Sequence, residues 1–272
     1  MIRNVEPIAR RGANAAVPAI WPVGKTLPPP RESVDEERLY RKQRLAGACR
    51  IFARLGYDMG GAGHITVRDP GDPNSFWVQP YTLPFGHVRV SDLLLVDHEG
   101  QVIEGKGRLN RAAFAIHARL HQARPDVLAA AHSHSIHGKT FSTLGRTLDP
   151  ISQDACAFYQ DHGVHSEFSG VVYDVAEGDR IAHALGDGKA VILQNHGILT
   201  VGGSIESAIW RYIGMENACQ VQLMAAAAGK PVAIPHDIAV KTRGQIGSEI
   251  SGIYGFKPYW DMIVRDEPDL FD

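Results

Sequence analysis

The stretch Ala129-Ala130-Ala131-His132-Ser133-His134 decides the reading of this chain. A run of small apolar residues passing into polar ones is the pattern of a short buried strand, and a strand turns alternate side chains to one face. His132 and His134 then share a side, about 7 Å apart along the backbone, while Ser133 points the other way. Two imidazoles so placed can converge on one ion, although two half-exposed histidines at a strand end is the plainer reading. A third imidazole comes with Gln194-Asn195-His196-Gly197, which follows a second apolar run, Ala190 to Leu193. A neighbouring strand would bring His196 beside the pair. Three histidines on rigid elements make a metal site with open positions for water and substrate, and neutral imidazole suits zinc, iron, nickel or copper. By itself Asn195-His196-Gly197 also describes a histidine in a turn.

Outward from these segments, strands and helices interleave. Ser33 with Glu36 three residues on reads as a helix start, and Leu39, Leu45, Cys49, Phe52 and Leu55 follow at helical spacing until Gly56. Ile65 to Val67, Phe76 to Val78 and Leu93 to Val96 are short β-prone pieces set among turn signals such as Asp69-Pro70-Gly71. A helix is expected from about Asn110 to Gln122, a strand from Val127 to His132, and a long helix from Ser204 to Ala228, ended by Gly229-Lys230-Pro231. The class is therefore α/β or α+β, with helices covering a sheet. Residues 1–33 hold six of the 16 prolines and lack periodicity, which reads as an extended arm, either a disordered tail, the plainer reading, or a segment that wraps a neighbouring subunit through Ile20 and Trp21.

Composition narrows the function. The 28 Lys+Arg against 30 Asp+Glu leave a net charge of −2, so no global field draws nucleic acid or an anionic membrane. No apolar run approaches the roughly 20 residues needed to span a bilayer. Three widely spaced cysteines, Cys49, Cys156 and Cys219, argue against a disulfide framework and for a cytoplasmic protein.

The order His117 to His121, Arg124-Pro125-Asp126-Val127, His132-x-His134 and Asn195-His196-Gly197, with Gly63-His64-Ile65-Thr66-Val67-Arg68-Asp69 and Ile151-Ser152-Gln153-Asp154-Ala155, resembles the class II aldolase/adducin family over Leu39 to Ala228. The resemblance implies an α/β, three-layer αβα domain with a central, mostly antiparallel sheet over residues 34–272, and a homotetramer with sites at subunit interfaces. It also implies one divalent ion per chain, Zn2+ or Fe2+ with Mn2+ also possible, held at positions matching His132, His134 and His196. Sugar-phosphate aldolases of the family carry a glutamate four residues before the histidine matched by His117; here that position is Ala113, and the phosphate-holding residues are replaced by Gly63-His64-Ile65-Thr66 and Arg111-Ala112. His64, Asn110 and Gln153-Asp154 instead resemble the adducin-like branch, which includes iron-dependent oxygenases of prenylated 4-hydroxyphenylpyruvate.

The expected function is thus a divalent-metal-dependent lyase, working by aldol cleavage or decarboxylation on a small carboxylate or ketone without phosphate. An Fe(II) oxygenase of an aromatic 2-oxo or hydroxy acid is one alternative, and a non-catalytic interaction module is another. Tyr159 and His162 are candidate catalytic groups, and His64, Arg68 and Lys139 candidate substrate partners. Phe85, Trp77 and Phe158 are candidates for an apolar wall, and His117 and His121 for a supporting layer behind the ion. Tyr212 and Glu216 are expected to serve packing and subunit contact.

Overall fold

The apolar run ending in His132 becomes a central strand of an eight-stranded sheet. The computed structural model describes residues 27–29, 31–172 and 174–272. Its strands are β1 (His64–Arg68), β2 (Ser75–Val78), β3 (Leu94–Asp97), β4 (Val102–Glu104), β5 (Ala129–Ser133), β6 (His162–His165), β7 (Ala190–Leu193) and β8 (Gly197–Gly202). Their order is β4-β3-β2-β1-β5-β8-β7-β6, and only β6 with β7 runs parallel. The helices are α1 (Val34–Arg54), α2 (Arg111–Ala123), α3 (Ile136–Ser142), α4 (Val175–Leu185), α5 (Ile205–Ala228), α6 (His236–Ile246) and α7 (Glu249–Asp266).

Strand alternation sets the layers. Ala129 and Ala131 of β5 face a core shared with Phe52 of α1, Ile209 of α5 and Phe256 of α7, whereas Ala130 faces Ile116 and Leu120 of α2 and Ile181 of α4. Small side chains on both faces of β5 let helices from both layers approach it closely, and the result is a three-layer αβα arrangement with a mostly antiparallel sheet. No helix among the described residues is long and apolar enough to cross a membrane. Cys49, Cys156 and Cys219 are buried and free.

Helix starts follow the capping residues. Ser33 accepts from the Glu36 amide, and Glu36 reaches back to the amide of Glu32. Asn110 accepts from the amides of Ala112 and Ala113 at the head of α2. The arm expected over residues 1–33, with Ile20 and Trp21, lies almost entirely outside the described residues. The strand expected from Val127 begins at Ala129, because the Val127 amide closes a turn on the Arg124 carbonyl. Helix α7 carries Gly252, Gly255 and an internal Pro258, which interrupt its apolar pattern. A Cβ at Gly252 or Gly255 would run into Ser207 or Trp210 of α5, so those glycines permit the α5–α7 contact.

Two side chains of α5 lock the junction between β5 and α3. Tyr212 and Glu216, expected at a packing or subunit face, are 0% and 2% exposed and turn inward. The Tyr212 hydroxyl lies 2.7 Å from Ser133 Oγ and 2.8 Å from Ser135 Oγ. The Glu216 carboxylate accepts from Ser135 Oγ, from the amides of His137 and Gly138, and from His137 Nδ1 at 2.6–3.0 Å. A buried carboxylate is stable only when so satisfied. Glu216→Ala leaves the buried Gly138 amide, the Ser135 hydroxyl and the half-buried His137 amide without this acceptor, which predicts a loss of about 3 kcal/mol in urea unfolding; an unchanged urea midpoint would contradict this role.

Candidate metal site

Three neighbouring elements deliver the imidazoles. His132 is the penultimate residue of β5, His134 follows that strand's end, and His196 sits in the three-residue loop joining β7 to β8. That loop is tight: the His196 amide bonds to the Leu193 carbonyl at 3.0 Å, and Asn195 adopts a left-handed backbone (φ 59°) that Asn tolerates better than most residues. A side chain at Gly197 would meet the Ser133 carbonyl at 3.0 Å and the His132 ring at 3.5 Å, so glycine lets the hairpin close onto β5. Asn195-His196-Gly197 is thus a turn, and being a turn is what brings the third imidazole in.

Among the described residues, His132, His134 and His196 form the group whose ligand atoms all lie within 4.8 Å of one another. Nε2 of His134 and His196 are 3.0 Å apart, close to the separation of about 3 Å between two nitrogens on one divalent ion. His132 Nδ1 donates to the Ile198 carbonyl at 2.9 Å, which leaves Nε2 as the lone-pair nitrogen. That Nε2 is buried with no hydrogen-bond partner among the described residues. A buried lone pair beside two other imidazole nitrogens is satisfied by a cation, so the residues present fit a divalent ion.

Electrostatics agree. Burial, followed by repulsion from His196 and His64, holds His132 well below the usual imidazole range. His196 is pushed down to about 4, by burial first and then by His134 and His165. His134 is lowered by burial and by Lys139. The triad is therefore neutral near pH 7, as ligation requires.

A cavity of about 380 Å³ opens onto the triad. Its walls include His64, Tyr81, Asn110, Lys139, Phe168 and Val171. Among the described residues no Asp or Glu lines it, and Lys139 is its one Lys or Arg. Phe168 and Val171 are 51% and 65% exposed, so they form an unpacked apolar lip. No periodicity marks these two in the sequence; the only signal is an apolar pair in a Ser/Gly segment.

The other expected residues divide. His64 lines the cavity and pairs across the strands with His132, their rings 4.9 Å apart. Lys139 lines it too. Arg68 does not: at the far end of β1, its guanidinium donates to the carbonyls of Pro73, His121, Arg124 and Val127. His162 lies in β6 with both nitrogens engaged, Nδ1 at the Phe158 carbonyl and Nε2 accepting the Leu148 amide. The Tyr159 hydroxyl meets His236 Nδ1. Neither residue lines the triad's cavity, and nor do Phe85, Trp77 or Phe158, which belong to the core. His117 and His121 are buried behind β1. Ala113 is wholly buried, with no carboxylate in its place.

Comparison with known proteins gives the chain's relatives. The family described as Class II Aldolase and Adducin N-terminal domain matches residues 43–223. The chain is 43% identical over 245 residues to "Decarboxylase NovR" of Streptomyces niveus, covering 89% of this chain and 91% of that protein. It is 42% identical to "4-hydroxy-3-prenylphenylpyruvate oxygenase/4-hydroxy-3-prenylbenzoate synthase" of Streptomyces roseochromogenus subsp. oscitans, covering 89% of this chain and 88% of that one. Among solved structures it superposes on "L-fuculose 1-phosphate aldolase from Glaciozyma antarctica PI12" with TM-score 0.84 and 44% identity, covering 90% of this chain and 96% of that chain.

The depressed histidines set a pH dependence for the metal-free protein. His64 and His117 are held well below the usual range, His121 near 3 and His196 near 4, in each case mainly by burial. Unfolded, each takes up a proton near pH 6.5; folded, each stays neutral to far lower pH. Unfolding therefore binds protons, and stability falls as pH drops from 6.5 towards 4, by about 1 kcal/mol per pH unit for each such histidine. Urea midpoints of the metal-free protein should fall steadily across this window; a flat profile would show that these imidazoles are not held neutral.

Proposed function

The chain belongs to the class II aldolase and adducin family, and we propose that within it this protein is a divalent-metal-dependent lyase that acts on a small, non-phosphorylated carbonyl or hydroxy acid, and that its reaction is decarboxylation of an acid with a carbonyl one carbon from the carboxylate. The observation that carries the reading is the donor set: three neutral imidazoles face a cavity that no carboxylate lines. An ion held there supplies Lewis acidity to a carbonyl or carboxylate oxygen. Aldol cleavage also asks for a base to take a hydroxyl proton. At the position where the aldolases' glutamate would stand, Ala113 offers none. Decarboxylation of an acid with a carbonyl one carbon further on breaks the bond to CO2 and sends its electron pair into that carbonyl, so it asks for an electrophile and hydrogen-bond donors rather than a base.

The chain's own residues supply the rest. His64 and Asn110 bring polar groups to the cavity wall, and Lys139 adds one ammonium, enough for a carboxylate and sparse for a phosphate ester. Phe168 and Val171 offer an apolar surface that suits an aromatic side chain and excludes water from it. A second reading, Fe(II)-dependent oxygenation of an aromatic 2-oxo acid, is supported by the 42% identical relative that carries an oxygenase name. For a 2-oxo acid the departing electron pair has no adjacent carbonyl to enter, and dioxygen is the acceptor that balances the step. A closed oligomer, four copies on the family's pattern, belongs to the same proposal.

Titration of metal-loaded protein with oxaloacetate, phenylpyruvate and L-fuculose 1-phosphate tests the reading. An oxo acid should bind tightest, and EDTA or His132→Ala should abolish its binding. Carbon dioxide release without dioxygen marks the lyase, and release only with Fe2+ and dioxygen marks the oxygenase. Tightest binding by the sugar phosphate, or binding indifferent to metal removal, would overturn it.

A further inference from the structure

The loop that walls one side of the cavity has few ties to the rest of the fold. It runs between β6 and α4, and its Phe168, Gly170, Val171 and Val172 line the same cavity as the three imidazoles. Val172 is buried and packs in the core with Ile181 of α4. Among the described residues, residues 167–172 make no backbone–backbone hydrogen bond, and Glu167 has an exposed ion pair with Arg180 at 3.5 Å. Such an exposed pair does little to hold a loop. What remains is Ser169, whose hydroxyl donates to the Glu177 carboxylate at 2.5 Å. Gly170, with φ 107°, lets the chain turn directly after Ser169, which points into the domain while Phe168 and Val171 line the cavity.

Glu177 lies in the first turn of α4 with its side chain 5% exposed. A buried carboxylate is costly unless it is hydrogen-bonded. Ser169 Oγ is its one hydrogen-bond donor among the described residues, and His165 Nε2 stands 3.8 Å from the other oxygen, beyond hydrogen-bond reach. The carboxylate therefore draws Ser169 inward, and the loop cannot swing out without leaving a buried charge without its donor. We infer that the Ser169–Glu177 hydrogen bond fixes the apolar lip in place and thereby sets the choice among oxo acids: latched, Phe168 and Val171 meet an aromatic ring on the bound acid and favour it over a methyl group. Phe168 determines the specificity, and Ser169 and Glu177 are positioning residues that act on the acid only through the lip. The inference rests on the oxo-acid reading of the cavity, while the latch itself is testable without any ligand.

The experiment titrates the zinc-loaded full chain with phenylpyruvate and with pyruvate, which share the chelating group and differ by one ring. Alongside, the rate of chymotryptic cleavage after Phe168 is followed by mass spectrometry without ligand. The wild-type protein should prefer phenylpyruvate about tenfold, and Phe168→Ala should bring the two acids to within about twofold at unchanged zinc content. Ser169→Ala and Glu177→Ala should each cut the preference about fivefold, by weakening phenylpyruvate and not pyruvate, and should speed cleavage after Phe168 about fivefold. Glu177→Gln, whose amide oxygen still accepts from Ser169, should stay near the wild type in both. A general loss of structure would instead lower zinc content and both affinities together, and Ser169→Ala, at a loop position, carries the test if Glu177→Ala does not fold. Equal wild-type affinities for the two acids, a full preference in Phe168→Ala or in Ser169→Ala, or unchanged cleavage in Ser169→Ala would overturn the inference. If the wild type binds neither acid while Ser169→Ala still speeds cleavage, the functional reading falls and the latch stands.

Discussion

One desolvated nitrogen organises this molecule. His132 Nε2 is buried, its sister Nδ1 is committed to the Ile198 carbonyl, and two further imidazole nitrogens lie beside it. Burying a polar atom without a partner costs on the order of 1–3 kcal/mol, and the fold accepts that cost at the middle of its sheet. The surrounding features follow from the need to keep the three rings together: alanines on β5 that admit helices on both faces, a three-residue hairpin loop carrying His196, and glycine at 197 where any side chain would strike β5.

The support is polar as well as apolar. Below the site Tyr212 and Glu216 pin the turn that carries His134, and beside it the His64–His117–Thr66–His121 chain fills the space between β1 and α2 with paired groups. Buried networks of this kind rigidify when every member is satisfied and destabilise when one is lost. The same burial that makes the imidazoles good neutral ligands makes the metal-free protein sensitive to acid, so binding and stability are linked through one set of side chains.

Much of this was legible in the sequence, for local reasons. Ala190 to Leu193, the capping Ser33 and Asn110, and the long helix ending before Gly229 carry their conformation in their own composition. The triad was legible because strand alternation and a turn signal are local facts. What eluded sequence reasoning depends on register. Arg68 follows a β-prone segment and looks available to a substrate carboxylate, yet β1 runs away from the cavity and carries it to the opposite end of the sheet. His162 and Tyr159 sit in a polar-aromatic stretch that proves to be β6 and its approach, bonded to Leu148, Phe158 and His236. The apolar lip of Phe168 and Val171 has no period to announce it. The sheet order β4-β3-β2-β1-β5-β8-β7-β6 supplies what spacing alone could not.

The central claim is a coordination sphere of three neutral imidazoles and no carboxylate, and X-ray absorption at the metal edge of the zinc- or iron-loaded protein reads it directly. The account predicts a first shell of three imidazole nitrogens at about 2.0–2.1 Å for zinc, completed by water oxygen and, after addition of an oxo acid, by the acid's oxygens. A shell of four imidazoles, one containing sulfur, or one unchanged between wild type and His196→Ala would contradict it.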